Sequence, residues 1–170
     1  MLTLLRVALL GLCAQAAEPP HPHTLTLSAG AAVTMDPSHA ITTPLSLRQS
    51  LSWIPAGSRN TVDIVTTQAL GAPPQEGLTH ILGLEAALVQ VWGRHLQLGP
   101  RLGNGARVHI YDGDQRGISA GYYLLMGARV QTGGPRWLTT LDAGLEYAFT
   151  ASEARLHPLP FLALTAGVRL

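Results

Sequence analysis

The sequence predicts an all-β chain: an antiparallel, up-and-down transmembrane β-barrel of about eight strands, preceded by a cleaved signal peptide. Three observations point there. Apolar residues recur at every second position over most of the chain, the period of a strand whose side chains alternate between two faces. Turn-forming residues punctuate these stretches at a hairpin rhythm. Charge is scarce: 46% of the 170 residues are hydrophobic and 12% charged, with no lysine, where an ordinary soluble domain carries about 25%. No stretch shows a convincing helical period.

The first segment, "MLTLLRVALLGLCAQAAEPP", reads as a secretory signal. Arg6 is the positive n-region, Val7 to Cys13 the short apolar run, and Ala14-Gln15-Ala16 an A-x-A cleavage site. The run is too short to span a bilayer as a helix. Residues 1–16 are therefore expected to be removed, with cleavage after Ala16 or Ala17; a lipoprotein signal ending at Cys13 is disfavoured by the large Leu12 before it. A mature chain without Arg6 and Cys13 has equal numbers of arginines and carboxylates, and no thiol. The near-zero net charge argues against a nucleic-acid partner. Residues 17–23 are Pro-rich and expected to be flexible, and 24–170 form the barrel.

The strands follow in order. Thr24–Met35 sets Leu25, Leu27, Ala29, Ala31 and Val33 against Thr26, Ser28 and Gly30. Leu45–Trp53 and Thr61–Leu70 continue the pattern, with Arg48 and Asp63 on their polar faces. His80–Trp92 carries Leu82, Leu84, Ala86 and Leu88 opposite Gly83 and Glu85. The fifth stretch, "HLQLGPRLGNGARVHIYD" (His95–Asp112), is long and alternates arginines with glycines on one face. Pro100 within it lacks an amide hydrogen, so a bulge or an irregular ladder position is expected there. Ile118–Gln131, Trp137–Thr150 and Phe161–Leu170 complete the eight. "MDPSH", "IPAGSRN", "GAPPQEG", "WGRH", "DGDQRG", "TGGPR" and "SEARLHP" supply the turns.

Two features favour apolar-out, polar-in over the soluble sense. The polar faces carry Arg48, Asp63, Glu85, Arg101, Arg107, Arg129, Asp142, Glu146 and Arg169 among small companions, leaving room for long stems in a narrow lumen. These five basic and four acidic groups nearly balance, as a closed interior requires. The aromatic residues on the apolar faces fall at strand ends. Trp53, Trp92 and Trp137 fall at one rim, and Tyr122, Tyr147 and Phe149 at the other, the girdles of a membrane barrel. Gln49, Asn104 and Gln90 interrupt the apolar face.

The terminal stretch "PFLALTAGVRL", apolar at every second residue back from Leu170, resembles the closing strand of bacterial outer-membrane barrels. It departs from their pattern in ending on Leu instead of an aromatic residue. The whole chain after the signal is similar to the small eight-stranded barrels typified by the transmembrane domain of outer membrane protein A. That resemblance implies insertion in the bacterial outer membrane among phospholipid and lipopolysaccharide, and delivery by the barrel-assembly machinery. It implies no cofactor and leaves function open, since the family spans pores, adhesins, enzymes and anchors.

The leading reading is a structural, anchoring or interaction barrel whose lumen is filled by an Arg/Asp/Glu network, with a protein partner left open. Glu85 is expected roughly opposite Arg101, with Asp63 neighbouring Glu85 and Arg129 neighbouring Arg101. Three alternatives stand beside it. One is a narrow pore. Another is a lipid A-modifying enzyme built on Ser119, His109 and Glu146, which match a nucleophile, base and carboxylate by type alone. The last is a secreted lipocalin-like barrel with the apolar face inward. His39, His80 and His157 fall near one rim and His95 at the other, without the spacing of a zinc site; no metal is expected.

Overall fold

The computed structural model describes residues 23–34, 45–70, 78–93, 95–111, 117–150 and 158–170. The expected signal segment 1–16 and the rest of 17–22 lie outside them. Eight strands form: β1 (Thr24–Thr34), β2 (Ser46–Ile54), β3 (Asn60–Leu70), β4 (Leu78–Gln90), β5 (Leu96–Tyr111), β6 (Gly117–Gly133), β7 (Trp137–Thr150) and β8 (Leu159–Arg169). Each pairs antiparallel with its sequence neighbours, and β1 pairs β8, closing an up-and-down barrel. Closure leaves no edge strand, the condition for a sheet to cross a membrane. The turns 55–59, 91–95 and 134–136 lie at one end, here the turn end, together with the start of β1 and the finish of β8. The other connections join the strands at the opposite end, the loop end; their residues 35–44, 71–77, 112–116 and 151–157 are outside the described set, as are His39 and His157.

Burial follows the inverted sense. Asp63 is 0% exposed and Glu85, Arg101 and Asp142 each 2%, whereas Leu84 and Leu102 are each 58% exposed. An apolar belt of leucine, isoleucine and valine covers the outside of every strand. The lipocalin-like alternative, which needs those residues inside, is thereby ruled out. Gln49, with Thr66 hydroxyl donating to it at 3.5 Å, and Asn104 lie exposed on this face, as the alternation requires.

Local chemistry sets the departures from the expected bounds. β4 stops at Gln90, and Trp92 rejoins β5 only through a single bridge to Leu98. The Leu98 amide donates to the Trp92 carbonyl, so the Pro100 nitrogen, two residues on, also faces β4 and has no hydrogen to give. The β4–β5 ladder accordingly ends at Val89↔Arg101, while Pro100↔Ala128 keeps regular register on the β6 side. The irregularity at Pro100 is a one-sided lapse and no bulge; the register shift in this pair falls at Leu78/His80. Gly57 (φ 68°) and Gly93 (φ 124°) take left-handed conformations in their turns, where a side chain would be strained.

Of the stretch 17–23 only His23 is among the described residues. His23 is held: its ring stacks on Trp53 with centroids 6.2 Å apart, and its Nδ1 accepts a hydrogen bond from the Ala56 amide at 3.1 Å.

Candidate functional site: the barrel lumen

The lumen is built by the inward set of each strand, and its charges fall in a central cluster with a satellite toward the loop end. At the centre, Arg129 on β6 faces Asp142 on β7 as a direct cross-strand partner. Its Nε donates to Oδ1 at 2.7 Å and its Nη2 to Oδ2 at 2.9 Å, a bidentate fork. The same Nη2 lies 2.6 Å from Asp63 Oδ2, bringing in β3 from across the barrel. Arg101 on β5 pairs with Glu85 and reaches Asp142 at 3.3 Å. Arg48 on β2 sits 3.5 Å from Glu85 and 3.7 Å from Asp142, with its guanidinium 5.2 Å from the Phe161 ring centroid. Three arginines thus meet three carboxylates, all buried. Toward the loop end Arg107 clamps both oxygens of Glu146 at 2.7 and 2.9 Å, stacks on Tyr123, and is partly exposed; Thr34 donates to Glu146 at 3.5 Å. Toward the turn end the lining is neutral as far as Arg169 at the rim: Gln131 donates to Gln97 at 2.6 Å, and Thr140 contacts Thr165.

Several expected neighbours differ from those observed. Glu85 stands opposite Gly105 and Arg101 opposite Val89, so the two are not cross-strand partners. Their ion pair is diagonal, and the Glu85 carboxylate lies over Gly103 to make it. A Cβ at Gly103 would lie 2.7 Å from Glu85 Oε1. Asp63 neighbours Ala87 in place of Glu85, and Arg129 neighbours Gly99 in place of Arg101. The expected hairpin "WGRH" is centred on Gly93, whereas the observed register centres on His95, and that displacement moves every pairing across β4 and β5. Arg169 stays out of the cluster. It lies at the turn-end rim, and its Nη1 donates to the Gly134 carbonyl at 3.0 Å.

The aromatic residues lie at the strand ends. Trp53 and Trp137 are exposed at the turn end, and Trp92 is half-buried there in its isolated bridge. At the loop end Tyr122 pairs with Phe149, ring centroids 6.4 Å apart, and Tyr147 is half-buried. The enzyme alternative draws little from the geometry. His109 and Ser119 are backbone partners on β5 and β6, with side chains outside the described set. Glu146, which would have to orient the histidine, has both oxygens engaged by Arg107. Among the described residues no cluster of His, Cys, Asp or Glu could hold a metal ion.

The inward glycines of β4 and β5 give a direct test of this packing. A Cβ at Gly105 would stand 2.6 Å from Tyr123 Cζ and 2.5 Å from the Leu84 carbonyl oxygen, whereas one at Gly83 meets nothing closer than 3.5 Å. Gly105→Val is therefore expected to cost about 1–3 kcal/mol by displacing Tyr123, and Gly83→Ala close to nothing. Equal urea midpoints for the two variants in detergent would contradict the packing described.

No protein-family model matches the sequence, and no curated protein matches it significantly. Solved structures do match in fold. The N-terminal β-barrel domain of OprF from Pseudomonas aeruginosa superposes with a TM-score of 0.59 at 10% identity, over 89% of this chain and 100% of that one. The attachment invasion locus protein Ail of Yersinia pestis gives 0.54 at 16%, over 88% and 100%. Neisserial surface protein A gives 0.51 at 18%, over 90% and 99%. At these identities the likeness is one of architecture: the chain has the fold of the small eight-stranded outer-membrane barrels.

Proposed function

We propose that this protein is a bacterial outer-membrane barrel with a structural, anchoring or interaction role, its lumen closed by the Arg/Asp/Glu cluster instead of serving as an open pore. The observation that carries the reading is the inverted burial: charges within, a continuous apolar belt without. In water such an exterior would aggregate; in a bilayer it is the required one. Eight strands leave an interior that side chains can fill, and the cluster spans it from β2 and β3 to β6 and β7. The turn end faces the periplasm and the loop end the exterior. Phospholipid and lipopolysaccharide surround the belt, and the barrel-assembly machinery receives the terminal strand.

Two measurements test this. The protein is expected in the outer-membrane fraction, resistant to carbonate, with β-rich circular dichroism in detergent; ready solubility without detergent would refute the membrane assignment. In planar bilayers the parent is expected to show little steady conductance, and Arg101→Ala more, because the cluster loosens when Glu85 loses the nearer of its two arginines and Asp142 loses one of its three. Large stable pores in the parent would mean that the charges line a channel.

A further inference from the structure

All three tryptophans of the chain stand at the turn end. Trp53 closes β2 and is 45% exposed; Trp137 opens β7 and is 54% exposed. Each flanks a turn that carries an arginine, Arg59 and Arg136 respectively, and neither arginine has an ion-pair partner among the described residues. The third turn repeats the two residue types in sequence, Trp92 and Arg94, Arg94 lying outside the described set. No Asp or Glu occurs in the turns 55–59, 91–95 and 134–136, whereas the connections at the loop end carry Asp36, Glu76, Asp112, Asp114 and Glu153 against Arg116 and Arg155. Among the described residues the turn end therefore carries cations without ion-pair partners in the same turns as its outward indoles.

The placement of these pairs selects the partner. Turn 55–59 joins β2 to β3 and turn 134–136 joins β6 to β7, on opposite sides of the closed ring. A peptide or polymer docked against one side meets one pair; a lipid annulus meets all of them at once. Indole rings settle at the headgroup level of a bilayer, and a guanidinium matches the planar oxygens of a phosphate. We infer that the turn-end rim is a binding surface for anionic phospholipid headgroups, seating the barrel against the leaflet that supplies them. The inference rests on the membrane assignment above.

Intrinsic fluorescence reports this rim alone, since the chain has no other tryptophan. The full chain is reconstituted in phosphatidylcholine vesicles containing either phosphatidylglycerol or phosphatidylcholine brominated high on the acyl chain, and the relative lipid binding constant is read from the quenching. At low salt phosphatidylglycerol is expected to be preferred about fivefold, the contribution of one arginine at an anionic surface. The preference is expected to fall at least twofold in Arg59→Gln/Arg136→Gln, which keeps every tryptophan, and to vanish near about 1 M NaCl. Equal quenching by the two lipids, or a preference unchanged in the double variant, would overturn the inference while leaving the membrane assignment intact. Quenching by neither lipid would remove the membrane assignment itself. Equal quenching accompanied by co-sedimentation with peptidoglycan, lost in the double variant, would also overturn it and give the arginines to the cell-wall polymer.

Discussion

Arg129→Met is expected to destabilise the barrel by at least the about 3–5 kcal/mol that follows when one partner of a buried ion pair is removed. The effect should sit at the top of that range or above it because Arg129 serves two carboxylates. Asp142 keeps Arg101 at 3.3 Å and Arg48 at 3.7 Å, but Asp63 has no second ion-pair partner among the described residues. The uncompensated charge should therefore reside on Asp63. Converting it in the same chain, as Arg129→Met/Asp63→Asn, is expected to restore more than half of the loss, whereas Arg129→Met/Asp142→Asn should restore less. Urea unfolding in lipid vesicles, followed by tryptophan fluorescence, measures all four chains. A single-variant cost under about 1 kcal/mol, or doubles no more stable than Arg129→Met itself, would show that Asp63, Arg129 and Asp142 do not meet.

Leu84→Arg is the second large effect, and it tests the outside of the barrel as the first tests the inside. Leu84 is 58% exposed at the middle of β4, between Thr66 and Ala106 on its neighbours. At the midplane of a bilayer an arginine on the lipid face costs about 2–4 kcal/mol, and near the interface about 0–1. Leu96, 63% exposed at the turn end of β5, supplies the comparison: Leu96→Arg should fall in the lower range. On a water-facing surface both substitutions would lie within about 0.5 kcal/mol of the parent. Matching unfolding free energies for the two variants in vesicles would therefore contradict the membrane-facing belt.

The strands were legible in the sequence because period two survives any uncertainty in register. An error of one position reverses every side chain, so parity alone separates Arg48, Asp63, Glu85, Arg101, Arg129 and Asp142 from the leucines between them. Register was not legible to the same degree. The stretch "VWGRH" admits more than one centre, and the choice depends on Pro100, whose missing hydrogen faces β4. The alternation left the register open, because it fixes which face a side chain takes and not which residue it stands opposite. Tyr123 and Phe161 were overlooked as lumen residues, although parity carried the signal. Of the adjacent Tyr122 and Tyr123 one must face inward, and Phe161 shares its face with Ala163, Thr165 and Arg169. Contacts such as Arg129 with Asp63 cross the lumen between strands that are not neighbours, and no hairpin argument reaches them.

The seam between β1 and β8 has a kinetic meaning. Its register runs from Thr26↔Arg169 to Thr34↔Phe161, and the Leu170 amide donates to the Leu25 carbonyl at 2.8 Å. The first and last strands of the sheet must find each other before either has its full set of bonds. Contacts of such sequence separation form slowly, and until they form both strands present open edges that invite aggregation. A ribosome releases β1 long before β8 exists, so the nascent chain has to be held unfolded through its whole passage to the bilayer. A chain interrupted anywhere before Phe161 would insert with two unbonded edges in hydrocarbon, so truncation should abolish the barrel outright and leave no smaller version of it.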